Sequence, residues 1–183
     1  MRLLLVILPT VSAALLVPGA RRLFCFSLGS WRKPAIPGVS WLRLMFIGAL
    51  LFSVCAVATI ALIGKGGAIS SPLTLLPFLP GIIAFCLLNS TLEELIYRIA
   101  LFAPLKATVG FPSALVVQAL TFGLAHYSHG HPSGFGGAAT GTLAGLLLGF
   151  SVKGTGGISW AIAWHALMDF WIVIFNIAPA VNF

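Results

Sequence analysis

The chain of 183 residues contains only three acidic side chains: Glu93, Glu94 and Asp169. All three lie inside long apolar segments, where a charged side chain costs on the order of 3 kcal/mol or more at the centre of a bilayer. Ionisable groups kept at such a cost are candidates for a functional site. A carboxylate in an apolar environment suits general acid or general base chemistry.

The first motif is STLEELIYR, in which Glu93 and Glu94 are followed by Arg98. Glu94 and Arg98 are spaced i, i+4, so they share one helix face and can form an ion pair. Such a pair lowers the cost of holding both groups in lipid. Glu93 points about 100° away from Glu94 on a helix and has no evident local partner. It is therefore the strongest candidate for the group that performs the chemistry.

Imidazoles occur in two further motifs. In WAIAWHALMD, His165 and Asp169 are also spaced i, i+4, and we expect them to hydrogen-bond, with the aspartate orienting the imidazole. In FGLAHYSHGH, His126 ends an apolar segment, and His129 and His131 follow in a Gly/Pro-rich loop. His129 and His131 are the weaker candidates for a catalytic role.

Helices of this length can bring carboxylates, imidazoles and Arg98 to one polar cavity within the membrane. Such a site can hold and activate a water molecule. A zinc site formed by Glu93, His126 and His165 is also possible from the ligand types. We favour a mechanism without metal or other cofactor.

The elements that must position these groups are membrane helices. Hydrophobic residues make up 60% of the chain and charged residues 7%, against about 25% charged residues in globular domains. The net charge of +7 arises from missing acids rather than from a basic tract, which argues against nucleic-acid binding. The cysteines Cys25, Cys55 and Cys86 are isolated, which is typical of apolar packing residues rather than of a metal or redox site.

Apolar runs long enough to cross a bilayer predict about six spans, at roughly 3–18, 42–64, 73–103, 111–127, 138–152 and 157–178. The first could instead be a signal peptide, but we expect a retained span. Pro77 and Pro80 should break or tilt the third near its start. The basic stretch 19–41 suits an interfacial loop or a short amphipathic helix.

We therefore expect one integral-membrane domain over residues 1–183, an all-α polytopic bundle of transmembrane helices around a polar cavity. Its chemistry-bearing core covers roughly 75–178, and residues 1–70 supply N-terminal membrane helices and the basic interfacial loop.

Basic residues predict the orientation. With 19–43 in the cytoplasm, seven of the ten Lys and Arg residues are cytoplasmic and two, Arg2 and Lys65, lie on the other side. The positive-inside rule then places the N-terminus and the loop 128–137 outside.

Four glycines recur at every fourth position of the fifth span: Gly137, Gly141, Gly145 and Gly149. They form a smooth helix face on which a neighbouring helix can pack closely. The alternative is a surface on which a substrate helix docks.

The three motifs, in this order, resemble those of the CPBP family, the CAAX-protease and bacteriocin-processing membrane proteins also called Abi. EELIYR resembles EExxxR, FGLAH resembles FxxxH, and HALMD resembles HxxxN/D. The resemblance covers roughly residues 75–178 and implies an all-α, glutamic-type intramembrane protease.

The resemblance also implies roles. Glu93 would be the catalytic carboxylate, which with His126 activates water. His165 and Asp169 would stabilise the oxyanion, while Glu94 and Arg98 would support the site. Eukaryotic prenyl-protein proteases carry Asn at the position of Asp169. The Asp in this chain therefore resembles prokaryotic members of the family. Because an ionised Asp repels an oxyanion, Asp169 should be protonated there or act by orienting His165.

The expected activity is thus cleavage of a membrane-associated or lipid-anchored protein near its terminus, as in CAAX processing or C-terminal sorting-signal removal. The expected location is the prokaryotic cytoplasmic membrane. Two alternatives are a non-enzymatic immunity or scaffold protein and a proton-coupled transporter, since membrane acids and histidines can relay protons. Inverted repeats typical of transporters are not evident.

Overall fold

The computed structural model describes residues 27–63, 72–130 and 133–177, without the side chains of residues 60, 61, 63, 72–74, 129 and 177. The predicted first span at 3–18 and His131 lie outside these residues.

The described chain is a helical bundle whose helices match five of the predicted spans. Helix α1 covers Trp41–Ile63, and a 3-10 segment, Pro72–Phe78, leads into α2, Leu79–Glu94. A π-helical segment, Leu95–Phe102, joins α2 to α3, Ala103–Val109. Helices α4, α5 and α6 cover Phe111–His129, Gly134–Thr155 and Ser159–Ile177.

Three stretches of the described residues are long and apolar enough to cross a membrane: Trp41–Thr59, Leu75–Val109 and Gly134–Thr155. The chain is therefore an integral membrane protein with an all-helical core. The count of about six spans stays a prediction.

The long helical stretch bends in two ways. Pro77 lies in the 3-10 segment and Pro80 in the first turn of α2, as expected from the missing N–H of proline. The π-helical segment was not predicted. It ends at Phe102, and Pro104 lies in the first turn of α3. Because Pro104 cannot donate a backbone hydrogen bond, the pattern must change there, and the Ala103 N–H bonds to the carbonyl of Arg98.

Residues 27–40 form no helix, so the amphipathic-helix interpretation is wrong for them. Strands β1, Pro34–Ile36, and β2, Val39–Ser40, pair as a short antiparallel hairpin. The segment before the hairpin is fastened to the α5–α6 turn. The Ile158 N–H donates to the Ser27 carbonyl at 2.9 Å, and Trp31 Nε1 donates to Ser159 Oγ at 2.7 Å.

Tryptophans join α1 to α6. The Trp41 and Trp160 rings lie edge to face with centroids 5.0 Å apart, and Trp160 Nε1 donates to the Trp41 carbonyl at 2.9 Å. Trp164 stacks on Trp160. Further along, Trp171 Nε1 donates to Ser53 Oγ at 3.1 Å.

The glycine face of α5 is covered by α4. Gly137, Gly141, Gly145 and Gly149 are all buried. A Cβ on Gly145 would lie 2.8 Å from the Cα of Ala119 in α4, so the two backbones approach closely, as expected for tight packing. The alternative of a substrate helix docking on these glycines is wrong, because α4 occupies the face.

Candidate active site

Glu94 is the buried centre of the polar cluster. Its Oε2 lies 3.0 Å from Arg98 Nε, which is the predicted i, i+4 pair. Its Oε1 lies 2.9 Å from His165 Nδ1, a contact from α2 to α6 that was not predicted. Glu94 and Arg98 are both fully buried, so each depends on the other for compensation of its charge.

His165 meets all three carboxylates of the chain. Its Nδ1 hydrogen-bonds to Glu94, while its Nε2 lies 3.7 Å from Glu93 Oε2 and 3.6 Å from Asp169 Oδ1. The last two distances exceed those of ordinary hydrogen bonds. The expected hydrogen bond from His165 to Asp169 is therefore not formed, and the short contact of the ring is that of Nδ1 with Glu94 on α2. Glu94 orients His165, and Nε2 remains available to another partner.

Asn89 connects the two outer carboxylates. Its Nδ2 donates to Glu93 Oε1 at 3.3 Å and to Asp169 Oδ2 at 3.0 Å. Asn89 was not among the residues predicted from the sequence, although it precedes Glu93 by four positions and so shares its helix face. The bridge holds a side chain of α2 and one of α6 at a fixed separation.

The carboxylates differ in exposure. The side chain of Glu94 is 0% exposed, whereas those of Glu93 and Asp169 are 22% and 14% exposed. Glu93 and Asp169 thus face accessible space while Glu94 does not. Of the two glutamates, Glu93 is the one that water or a substrate can reach.

His126 lies on α4 beside this cluster, close enough to Glu93 and Asp169 to interact electrostatically. Its Nδ1 lies 2.8 Å from the Phe122 carbonyl. Since a carbonyl oxygen only accepts hydrogen bonds, Nδ1 must carry the proton, and Nε2 of the neutral ring then presents a lone pair. His126 can therefore act as a base through Nε2.

The Phe122 ring contacts three side chains of the site, a role that was not predicted from the sequence. Its ring centroid lies 4.3 Å from that of His126 and 5.6 Å from that of His165. The guanidinium carbon of Arg98 lies over the same ring at 4.8 Å, in cation–π range. An aromatic residue one turn before His126 could have been considered for this role from spacing alone.

Metal ligation is not apparent in the described part of the chain, where no three His, Cys, Asp or Glu side chains are arranged to hold one ion. The zinc set of Glu93, His126 and His165 remains a possibility by residue type only. The predicted absence of a cofactor stays a prediction.

A comparison with protein families finds a match over residues 74–171 to the model described as Type II CAAX prenyl endopeptidase Rce1-like. The matched residues include every side chain of the cluster. Comparisons with curated proteins and with solved structures found no match.

Proposed function

Because the chain belongs to the Rce1-like family of type II CAAX prenyl endopeptidases, we propose that it hydrolyses a peptide bond of a membrane-associated or lipid-anchored protein near its terminus. The observation that carries the proposal is the partly exposed side chain of Glu93, whose buried Oε2 has no hydrogen-bond partner among the described residues and faces His165 Nε2 at 3.7 Å. A carboxylate and an imidazole at this separation can both contact one water molecule or carbonyl oxygen that lies beside them.

In the proposed mechanism Glu93 and His126 activate the attacking water. The proton leaves the water for one of these bases as its oxygen attacks the scissile carbonyl. His165 donates from Nδ1 to Glu94, so the ring must be protonated at both nitrogens for Nε2 to donate a hydrogen bond to the oxyanion that forms. The protonated base then transfers its proton to the departing amine, which completes the hydrolysis without metal.

Asp169 has a supporting part in this scheme. It accepts a hydrogen bond from Asn89 and lies 3.6 Å from His165 Nε2, where it can stabilise the N–H that faces the oxyanion.

The proposed substrate follows from the surroundings of the site. Helix α2, which carries Glu93, exposes the apolar side chains of Ile83, Phe85, Leu87 and Leu88. This surface suits contact with lipid, so the substrate segment is itself embedded in the membrane. A C-terminal anchor or sorting signal of a protein in a prokaryotic cytoplasmic membrane fits this requirement.

The test compares the termini of membrane proteins in cells with the wild type and with Glu93→Ala. We expect a set of C-termini to stay uncleaved in the variant. Purified wild type should cleave a peptide from that set, and Glu93→Gln should be slower by at least about 100-fold. Full biological function of Glu93→Gln would refute the proteolytic role.

A chelator separates the two mechanisms. We expect 1,10-phenanthroline to leave cleavage by the wild type unchanged, since Glu93 and His126 can activate water unaided. Loss of activity that zinc restores would establish the metal-dependent alternative instead.

A further inference from the structure

The exposed cations of the described residues lie at one end of the bundle, which we call the basic end. They are Arg32 and Lys33 on the hairpin segment, Arg43 near the start of α1, Lys106 in α3 and Lys153 near the end of α5. Hydrogen bonds between residues 27–31 and the α5–α6 turn bring the hairpin segment there. The rings of Phe111 and Phe150, with centroids 6.4 Å apart, bring the start of α4 beside the end of α5. The basic end therefore concentrates positive charge from four separate elements.

No acidic side chain lies among these cations. The sequence has ten Lys and Arg residues against three acidic residues, and Glu93, Glu94 and Asp169 all belong to the polar cluster described above. The ion pairs of the described residues have only Arg98 and His165 as their basic partners. Soluble proteins intersperse acids with bases on their surfaces, whereas here the counter-charge has to come from a partner or from the solvent.

Two of the lysines converge on the end of α5. Lys33 Nζ lies against Gly156, the residue that caps this helix, since a Cβ on Gly156 would be 2.8 Å from the nitrogen. Lys153 lies one turn before Gly156, and its Nζ lies 4.2 Å from the centroid of the Phe111 ring at the start of α4. Neither ammonium group has a hydrogen bond or an ion pair within the described residues, so the N–H donors of both can bind an anion.

The outer face of α5 continues from Lys153 with apolar side chains. Phe150, Leu147 and Leu143 are all exposed and recur at every third or fourth position, so they lie on one helix face with Lys153. From Lys153 to Leu143 the helix rises about 15 Å, which is half of the hydrocarbon thickness of about 30 Å. This apolar stripe therefore matches one leaflet of a bilayer in length, with the cation at the level of the head groups.

A phospholipid fits this arrangement better than a soluble anion does. Its phosphate and its acyl chains are joined in the same order as the ammonium groups and the apolar stripe. A free phosphate would contact the cations alone, and an acidic protein segment would leave Phe150, Leu147 and Leu143 uncovered. Because the exposed charged side chains of the basic end are all positive, a head group with net negative charge is favoured over a zwitterionic one.

We propose that the basic end binds an anionic phospholipid, whose phosphate lies between Lys33 and Lys153 and whose acyl chains follow the outer face of α5. Lys33 belongs to the hairpin segment and Lys153 contacts the start of α4, so one phosphate joins three elements of the bundle. The site is separate from the polar cluster. It goes beyond the proposed function, because lipid binding needs neither Glu93 nor a substrate.

Native mass spectrometry of the purified full-length chain in detergent measures the binding directly. The probes are phosphatidylglycerol and phosphatidylcholine with identical acyl chains, so that only the head groups differ. We expect the wild type to bind phosphatidylglycerol more tightly. Lys33→Gln and Lys153→Gln should each weaken this binding about fivefold, and the double variant about 25-fold, given the contribution of one basic side chain at an anionic head group. Binding of phosphatidylcholine should change little.

Lys106→Gln is the matched control, because it removes the same charge from an exposed position of α3 at the same end of the bundle. It should keep the wild-type affinity, as should Lys33→Arg and Lys153→Arg, which retain a cation. A short-chain phosphatidylglycerol should bind more weakly than the long-chain lipid, since it covers less of the apolar stripe. The unfolding temperature without lipid verifies that each variant is folded.

Equal binding of the two lipids by the wild type would overturn the proposal. So would an equal loss of affinity in Lys106→Gln and Lys153→Gln, since net charge rather than a site would then attract the lipid. Displacement of the lipid by inorganic phosphate or by a soluble acidic peptide at the same concentration would overturn it as well, because the acyl chains would then contribute nothing. No substrate is present in these measurements, so their outcome is independent of whether the chain cleaves a protein.

Discussion

At the scale of single residues, adjacent glutamates have opposite environments. Glu94 is enclosed and contacts Arg98 and His165, whereas Glu93 is accessible and bonded to Asn89. One side chain therefore holds the site together, and its neighbour is free to act on water. The same chemical substitution at the two positions should separate stability from activity.

Glu94→Gln should destabilise the protein by roughly 3–5 kcal/mol, because it leaves the buried guanidinium of Arg98 without a counter-charge. The matched change Glu93→Gln should alter the unfolding temperature little while removing activity. Thermal unfolding in detergent, measured on both variants with a cleavage assay, checks the prediction. Equal unfolding temperatures for the two variants would contradict the division of roles.

Asn89→Ala should lower kcat about tenfold with little change in KM, since the loss of a typical hydrogen bond, about 1 kcal/mol, lets Glu93 and Asp169 move apart. Asn176→Ala is the control, because Asn176 is exposed and, within the described residues, its side chain hydrogen-bonds to the Ile172 carbonyl of its own helix alone. Steady-state kinetics on both variants measures the effect. A rise in KM alone would point to substrate binding rather than positioning.

Spacing along one helix predicted the Glu94–Arg98 pair correctly, since i, i+4 neighbours meet whatever surrounds them. It failed for His165, whose hydrogen bond goes to Glu94 rather than to Asp169. That bond depends on how α2 packs against α6, which hydrophobic periodicity does not specify. The contacts of Asn89 with Asp169 and of Phe122 with His165 were missed for the same reason.

At the scale of elements, the packing of α4 on α5 sets the position of His126. A Cβ on Gly141 would lie 3.0 Å from the Cβ of His126, and one on Gly145 would lie 2.8 Å from the Cα of Ala119. A Cβ on Gly141 would press on the site residue His126 as well as on the Cα of Gly123 at 3.1 Å, whereas the three nearest atoms to one on Gly145 all belong to Ala119. The glycine repeat therefore affects activity and stability at different positions.

Gly145→Ala should cost roughly 1–3 kcal/mol, because overpacking forces the two helices apart. Gly141→Ala should reduce cleavage more than stability, since it displaces His126. Gly81→Ala in α2 is the control, as a Cβ there meets nothing within 4 Å. The unfolding temperature and the cleavage rate of the three variants provide the measurement. Equal losses of activity in all three would exclude the proposed coupling to His126.

The glycine spacing predicted this tight packing, and the prolines predicted the irregular start of α2. The π-helical segment at Leu95–Phe102 was not predictable by the same reasoning. A π turn differs from an α turn by one residue, and its apolar sequence LIYRIALF has no distinct pattern.

At the scale of the whole molecule, the family expected from the three motifs is confirmed by the match over residues 74–171. The hairpin segment before α1 lies outside that match, and composition could not define its structure. Its position depends on hydrogen bonds to residues more than a hundred positions away, such as that of Trp31 to Ser159.

Ser159→Ala should lower stability by about 1–3 kcal/mol. It removes the hydroxyl that donates to the Leu28 carbonyl and accepts from Trp31. Thr108→Ala is the control, because in the described part of the chain its exposed hydroxyl bonds to the Leu105 carbonyl alone. Hydrogen exchange should show loss of protection in residues 27–40 for Ser159→Ala alone. Unchanged protection there would mean that the hairpin does not depend on this anchor.

The arrangement of the tryptophans has a consequence for spectroscopy. The chain has five, at positions 31, 41, 160, 164 and 171, and their indole contacts join the hairpin and α1 to α6. Indole fluorescence therefore reports the docking of α1 on α6. Fluorescence excited at the red edge of the indole band can therefore follow the unfolding of any variant at Glu93, Asn89 or His126, because these substitutions leave all five tryptophans in place.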